Sequence, residues 1–408
     1  MLPPSTYRRA LLIFACIPAL VFGSNIRTTT AAAAEQIPAV HEQHAALFLA
    51  WSISDAAIKK LARYDVVVLD MEIGALHPEQ LTRLRKLHPG IVLLAYISAQ
   101  EVHKDIESRN PHTPLRAQLA NILDESSYAK NSTDGRLSFW PSAWLINITG
   151  TWQTDLPQFI HSNVLATNLW DGVMLDNVWD SVTAHVGTDI DLNRDGALDS
   201  SVIADAAWRT AMTTMIHEIK RLDPKPRLVV NSSTQYDEID GIVLENSTRT
   251  GWERAIRSAL TFHEKNPNGL IIVNATAGNV EAPNNFSEMR YGHALALLTD
   301  AAYSFDFGDQ KHESLWWYDE YDAVLGAPIR IASTDGFGVW RRDFENGSVF
   351  ANSGMTTTTF DLEHAYKKIK GKQNPSFNSG KIVNSVTLGP QSGVLLLSQP
   401  PKMPQRKK

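Results

Sequence analysis

The chain has 408 residues, 43% of them hydrophobic and 20% charged, with a formal net charge of −6. This is the composition of an ordinary globular protein, long enough for one large domain and a smaller one. Positive charge is too little clustered for a nucleic-acid footprint, and the net charge implies no particular partner.

At the amino terminus Arg8 and Arg9 precede the apolar run Ala10 to Phe22, and small residues follow at Ala31 to Ala34. This is the layout of a secretory signal peptide, assigned to residues 1–34, with the mature chain beginning near Glu35 and bound for the periplasm or the exterior. An uncleaved anchor is the alternative. The run is short for a membrane span, no later segment is longer, and the residues around the arginine pair match a twin-arginine signal poorly. The only cysteine, Cys16, falls inside this segment. The mature chain therefore has no disulfide, thiol nucleophile or thiolate metal ligand.

Eight short apolar runs follow: Ala45 to Trp51, Val66 to Asp70, Ile91 to Ser98, Gly172 to Asp176, Leu228 to Asn231, Gly241 to Glu245, Leu270 to Asn274 and Ala302 to Asp306. Helical periodicity lies between several of them, at Pro78 to Leu87, Ala204 to Leu222, Trp252 to His263 and Glu288 to Thr299. Strands apolar on both faces alternating with helices predict a parallel sheet, and eight units predict an α/β fold, a (β/α)8 TIM barrel over residues 35–325. An open doubly wound sheet is the rival, but no glycine-rich phosphate loop follows the first run. From residue 326 the pattern alternates. "GVWRRDFENGSVFANSG" sets Asn346-Gly347 between two strand-like runs, and Lys381 to Leu388 and Gly393 to Ser398 continue the texture. A small antiparallel β-sandwich is expected over residues 326–400, with a frayed tail at 401–408.

The carboxyl ends of barrel strands are where such folds keep their chemistry. "DGVMLDNVWD" ends the fourth run on Asp176 and "DGIVLENS" ends the sixth on Glu245. Alternate strands bring these positions to one mouth, and a pair of carboxyls across one bond is what glycoside hydrolysis requires. Asp70, Glu72, Tyr96, Asn177, Trp179, Asn231, Asn274 and Asp306 stand at or near other strand ends and are candidate substrate-binding groups. Their polar atoms can pair with sugar hydroxyls, and the aromatic faces, with those of Trp51, Trp140, Trp152, Trp316 and Trp317, can stack on sugar rings.

The succession "DGVMLDN", "DLNRDG", "RLVVNSS", "DGIVLEN" and the "RRDFENGSVFANS" hairpin resembles the bacterial glycoside hydrolases of glycosyl-hydrolase-like family fifteen, over roughly Ala45 to Leu397. The resemblance implies a TIM barrel with a carboxyl-terminal β domain. Related clans with a nucleophile on strand four and an acid/base on strand six imply Asp176 for the first role and Glu245 for the second, where those clans often use Asp.

In "DIDLNRDGALD", after the fourth run, Asp191, Asn193, Asp195, the Ala197 carbonyl and Asp199 alternate as in a calcium loop, with Gly196 at the sharp turn. Val202 replaces the closing Glu, so Asp189 or Asp205 is needed to complete a structural Ca2+ shell. His44, His103, His185, His293 and His312 lack zinc-motif spacing, and no G-x-S-x-G elbow is present. Two functions are therefore expected in turn. The first is an exported retaining hydrolase of a poly- or oligosaccharide; the second is a non-catalytic barrel that binds an exopolysaccharide or wall polymer.

Overall fold

The computed structural model describes residues 42–106, 113–231, 233–246, 248 and 251–399. The expected signal peptide with Cys16 and the expected tail at 401–408 lie outside the described residues. Among the described residues no helix is long and apolar enough to cross a membrane.

Eight parallel strands form one sheet in chain order: β1 (Ala45–Phe48), β2 (Val66–Asp70), β3 (Val92–Ser98), β4 (Gly172–Asp176), β5 (Arg227–Asn231), β6 (Gly241–Glu245), β7 (Leu270–Thr276) and β8 (Ala302–Asp306). A parallel bridge between His44 and Tyr303 joins the two ends into a barrel. Side chains alternate along each strand, so one parity faces inward. The lower inward positions, among them Leu47, Val68, Leu94, Met174, Val229, Val243 and Ile272, form an apolar plug. The opposite parity, with Val67, Leu69, Leu93, Val173, Leu175, Val230 and Ile271, packs against the helices in a larger core. Where strands press closest there is no room for a side chain: a Cβ on Gly172 would stand 2.1 Å from the Arg227 carbonyl oxygen.

Local chemistry fixes the helix ends. Pro78 and Pro114 open their helices at positions where the missing N–H costs nothing, and the Ser54 and Asn285 side chains accept from the third residue on. The expected helical segments are present as Pro78–Leu87, Ser201–Leu222, Trp252–Lys265 and Phe286–Leu298. One connection departs from the (β/α)8 pattern. Between Asn231 and Gly241 the nine residues "SSTQYDEID" are enough to return along the barrel wall extended, but too few for a crossover helix. None is present in the described part of that segment.

The carboxyl-terminal domain is a six-stranded antiparallel sheet, in the order Ser333–Thr334, Val339–Phe344, Gly347–Asn352, Ser392–Ser398, Thr358–Lys368, Ile382–Leu388. The hairpin expected at Asn346-Gly347 is present, with Glu345-Asn346 as its two turn residues and Gly347 paired with Phe344 as the first residue of the return strand. The long strand Thr358–Lys368 slips register between Asp361 and Tyr366; it pairs with Ile382–Leu388 on both sides of the slip and with Ser392–Ser398 only at its carboxyl end. The sheet thus folds over a core of its own, with Phe350, Leu362, Tyr366, Val386, Leu388, Val394 and Leu396, as a sandwich does. The helix Phe286–Leu298 joins the domains. Its residues Tyr291 to Leu298 are all buried, because one side lies on β7 and β8 and the other on the β domain. A Cβ on Gly393 would meet the Arg290 carbonyl oxygen at 2.6 Å. Arg342 caps the same helix, donating to the Leu297 carbonyl at 2.9 Å and clamping Asp300 at 2.7 and 2.6 Å.

Candidate active site

The uppermost inward positions of the barrel are Asp70, Tyr96, Asp176, Asn231, Glu245 and Asn274, two residues above the apolar plug on their strands, and Asp306, four above Ala302 on β8. At β4 and β6 the residue after the carboxylate is an asparagine in the left-handed region, Asn177 at φ 58° and Asn246 at φ 50°. Asparagine tolerates this conformation better than most residues, and it ends each strand abruptly with its last side chain at the mouth.

Asp176, Asn231, Glu245, Tyr96, Asn177 and Trp179 line one open cavity of about 620 Å³. Asn231 Nδ2 donates to Asp176 Oδ1 at 2.9 Å and to Glu245 Oε2 at 2.8 Å. The two N–H bonds of one amide diverge widely, so these oxygens stand about 5 Å apart. Asp176 accepts two further bonds, from the Tyr96 hydroxyl at 2.7 Å and the Asn177 amide at 2.8 Å.

His312, on the loop after β8, is the decisive group absent from the sequence-level set. Its Nδ1 lies 2.7 Å from Asp306 Oδ2 and its Nε2 3.5 Å from Glu245 Oε1. Burial works against a charged imidazole, but the two carboxylates outweigh it and push its pKa up to about 10. Burial would likewise raise Glu245, yet the hydrogen bond and charge of His312, with the Asn231 bond, hold it below the ordinary carboxylate range. Asp176 goes the other way. Burial first and the Glu245 charge second raise it, more than the Tyr96, Asn231 and Asn177 donors lower it. The acid/base role expected for Glu245 needs a carboxyl that keeps its proton, and the role expected for Asp176 needs one that loses it. The electrostatics run opposite to both, because the imidazolium sits beside Glu245.

Asp70, Glu72, Asn274 and Asp306 lie outside the cavity lining. Asp70 is clamped by both Arg116 nitrogens at 2.8 and 2.7 Å. Glu72, fully buried, accepts from the Leu115 and Arg116 amides at 3.0 and 2.8 Å. These two acids anchor the helix Pro114–Ala120 and do not reach toward a ligand. Arg116→Met leaves both carboxylates buried without a counter-charge, which costs roughly 3–5 kcal/mol. Urea denaturation is expected to show that loss, and a shift below about 1 kcal/mol would refute the anchoring role. Asn274 donates to Ser304 and Asp306, both at 3.2 Å, so Asn274 and Asp306 support His312 from below. Trp179 is buried, stacked on His185 at 4.1 Å. The exposed aromatic faces at the rim belong to Phe139 and Trp140.

Glu101 also escaped the sequence reading. It accepts from Asn177 Nδ2 at 3.0 Å and from the Trp140 amide at 3.2 Å, linking the Asp176 turn to the aromatic rim. Burial, reinforced by Asp176, pushes its pKa up to about 7. Its signal, a lone Glu three residues past a strand end, is not distinctive.

In the loop expected to hold calcium through Asp191, Asn193, Asp195, Ala197 and Asp199, the acidic and amide side chains accept backbone amides. Asp191 accepts from the Asp195 and Gly196 amides at 3.2 and 2.9 Å, Asn193 from Asp195 at 2.9 Å, and Asp195 from Ala197 at 2.8 Å. Asp199 turns to the Leu192 amide at 2.7 Å, Asp189 to Ser132, and Asp205 to Ser181 and Thr183. Among the described residues no three carboxylate or imidazole groups converge where a metal ion fits. Short-range Asx turns shape the loop.

No curated protein matches the chain. Among solved structures it is similar to the glycoside hydrolase domain of PelA from Pseudomonas aeruginosa, at 15% identity, covering 64% of this chain and 94% of that one with a TM-score of 0.44. It is also similar to an α-amylase from Geobacillus thermoleovorans complexed with acarbose, at 11% identity over 88% and 98% of the two chains, with a TM-score of 0.45. At these values the likenesses carry no functional weight. The model of Hypothetical glycosyl hydrolase family 15 matches residues 85–348, well over half the chain and all of β3 to β8. The chain with this carboxylate-lined barrel mouth belongs to that glycosyl hydrolase family.

Proposed function

We propose that the protein is an exported, retaining O-glycoside hydrolase in which Glu245 is the nucleophile and Asp176 the acid/base. The observation that carries this reading is the single Asn231 amide bonded to both carboxylates at 2.9 and 2.8 Å, which keeps the bonded oxygens closer than the sum of the two contacts, near the roughly 5–5.5 Å of retaining enzymes and short of the roughly 6.5–9.5 Å of inverting ones. The amino-terminal segment with Arg8-Arg9 and the apolar run after it supplies the export signal.

Of the pair, Asp176 is the carboxyl that burial and the Glu245 charge push toward keeping its proton, and Glu245 the one that His312 and Asn231 push toward ionisation. Asp176 protonates the glycosidic oxygen as Glu245 attacks the anomeric carbon, giving a glycosyl ester and releasing the leaving group. The Tyr96, Asn177 and Asn231 donors then stabilise the newly formed Asp176 carboxylate. In the second half Asp176 takes a proton from water, the hydroxide opens the ester, and Glu245 departs as a carboxylate beside His312. Every step uses groups within the same cavity.

The test is the stereochemistry of the first product, read by proton NMR before mutarotation on the aryl glycoside that the mature protein cleaves fastest. Retention is expected. Inversion would remove the double displacement, and absence of cleavage across aryl glycosides and oligosaccharides would favour the non-catalytic binder.

A further inference from the structure

The missing helix between β5 and β6 leaves a gap in the outer ring of the barrel. A side groove of about 720 Å³ occupies it, between the irregular segment Thr234–Ile239, bent at Asp237 and Glu238, and the helix Trp252–Lys265. It is not separate from the mouth. A chamber of about 450 Å³ lies between them, sharing Asn231 and Glu245 with the carboxylate cavity, and Thr234, Gln235, Arg254 and Ser258 with the side groove. The three cavities therefore adjoin in series, from the aromatic rim, past the carboxylates, to the barrel wall.

The chemistry of the wall selects an occupant. Arg254, Arg257, Ser258, Thr261 and Lys265 recur at three- and four-residue intervals, so they share one helix face along the groove. That face is polar and mostly exposed, which is unsuited to an apolar segment docking where a barrel helix would lie. Three basic and three acidic side chains line the groove, the acids being Asp237, Glu238 and Glu253, so its charge balances. Such a wall offers donors and acceptors without favouring either sign of charge, as a neutral polyhydroxylated chain requires. Each chamber alone has the volume of a small-ligand site, and together they hold several sugar units.

We propose that this side groove is an extended binding site for a neutral polysaccharide chain, which enters at the aromatic rim, crosses the carboxylate pair and leaves through the gap of the missing helix. The inference rests on the glycosidase reading and adds an interior, endo-type mode of attack, since a chain running out on both sides is cut away from its ends.

The test uses the mature chain with Glu245→Gln, electrophoresed natively through gels containing hydroxyethylcellulose, pullulan, glycol chitosan or alginate. A neutral polymer is expected to retard it several-fold more than the charged ones. Thr261→Trp and Ser258→Trp, which fill the groove, are expected to abolish that retardation while circular dichroism and melting temperature show an intact fold. Lys59→Trp, on the exposed face of a distant helix, serves as the control. Unchanged retardation in the two groove variants, preference for a charged polymer, or no retardation in any gel would each overturn the proposal. Cleavage of aryl glycosides by the unmutated protein is measured separately, so failure of the groove is distinguished from failure of the glycosidase reading.

Discussion

Glu245→Gln is expected to lower kcat on an activated aryl glycoside by roughly four orders of magnitude, or about 5 kcal/mol of transition-state stabilisation at 1.36 kcal/mol per decade. A better leaving group cannot restore a missing nucleophile. Asp176→Asn is expected to behave differently, losing about 10²- to 10⁴-fold on alkyl glycosides that need a proton and much less on dinitrophenyl glycosides that do not. It should also erase the alkaline limb of the rate profile, because that limb reports loss of the acid's proton. The two carboxylates are thus separable by leaving-group dependence alone. A 2-fluoro sugar with a good leaving group should trap the ester on the peptide containing Glu245, located by mass spectrometry. A label on Asp176 would reinstate the division implied by the strand-four and strand-six clans.

His312→Asn is expected to move the acidic limb of the same profile upward and to lower kcat by about 10- to 100-fold, on the scale of a lost charge-assisted contact. The cause is direct: without the imidazolium, burial raises the Glu245 carboxyl and less of it is ionised. Asp306→Asn should shift the limb in the same direction by acting through His312. An unshifted limb in both variants would show that His312 only packs. Stability gives a second readout. The folded-state pKa of His312 is raised to about 10, so its contribution is fully present below the unfolded value of about 6.5 and is lost as pH rises through the folded value. Urea midpoints of the unmutated protein should therefore fall between pH 7 and 10, with a shallower fall in His312→Asn. For Glu245, held low, the stabilising share lies above its unfolded pKa and disappears as pH falls through the folded one.

The position of the carboxylates was legible because strand parity is local. Gly172 to Asp176 and Gly241 to Glu245 each end on an inward step, and the apolar residues two positions earlier show which step that is. The missing helix was equally legible, since nine residues cannot make the crossover, but counting strands alone passed over it. The division of labour within the pair was hidden. It depends on His312, which follows Glu245 by two further barrel units and carries no motif of its own. Asp70 and Glu72 misled for a related reason: their partner Arg116 enters from a long excursion between β3 and β4, and an acid at a strand end looks the same whether paired or open. The acidic loop shows the converse. Asp191, Asn193 and Asp195 have the spacing of metal ligands, but the same spacing suits amide-accepting turns.

The helix Phe286–Leu298 has its barrel face and its β-domain face buried alike, and the strand it packs on most extensively is Ser392–Ser398. During synthesis that helix leaves the ribosome about a hundred residues before the strand that covers it. Until then its outward leucines and alanines have no permanent partner, and β8 has only a half-supported neighbour. The nascent chain thus completes its barrel late, with its order of assembly governed by the strand Ser392–Ser398 and its apolar seam open to chaperones until that strand emerges.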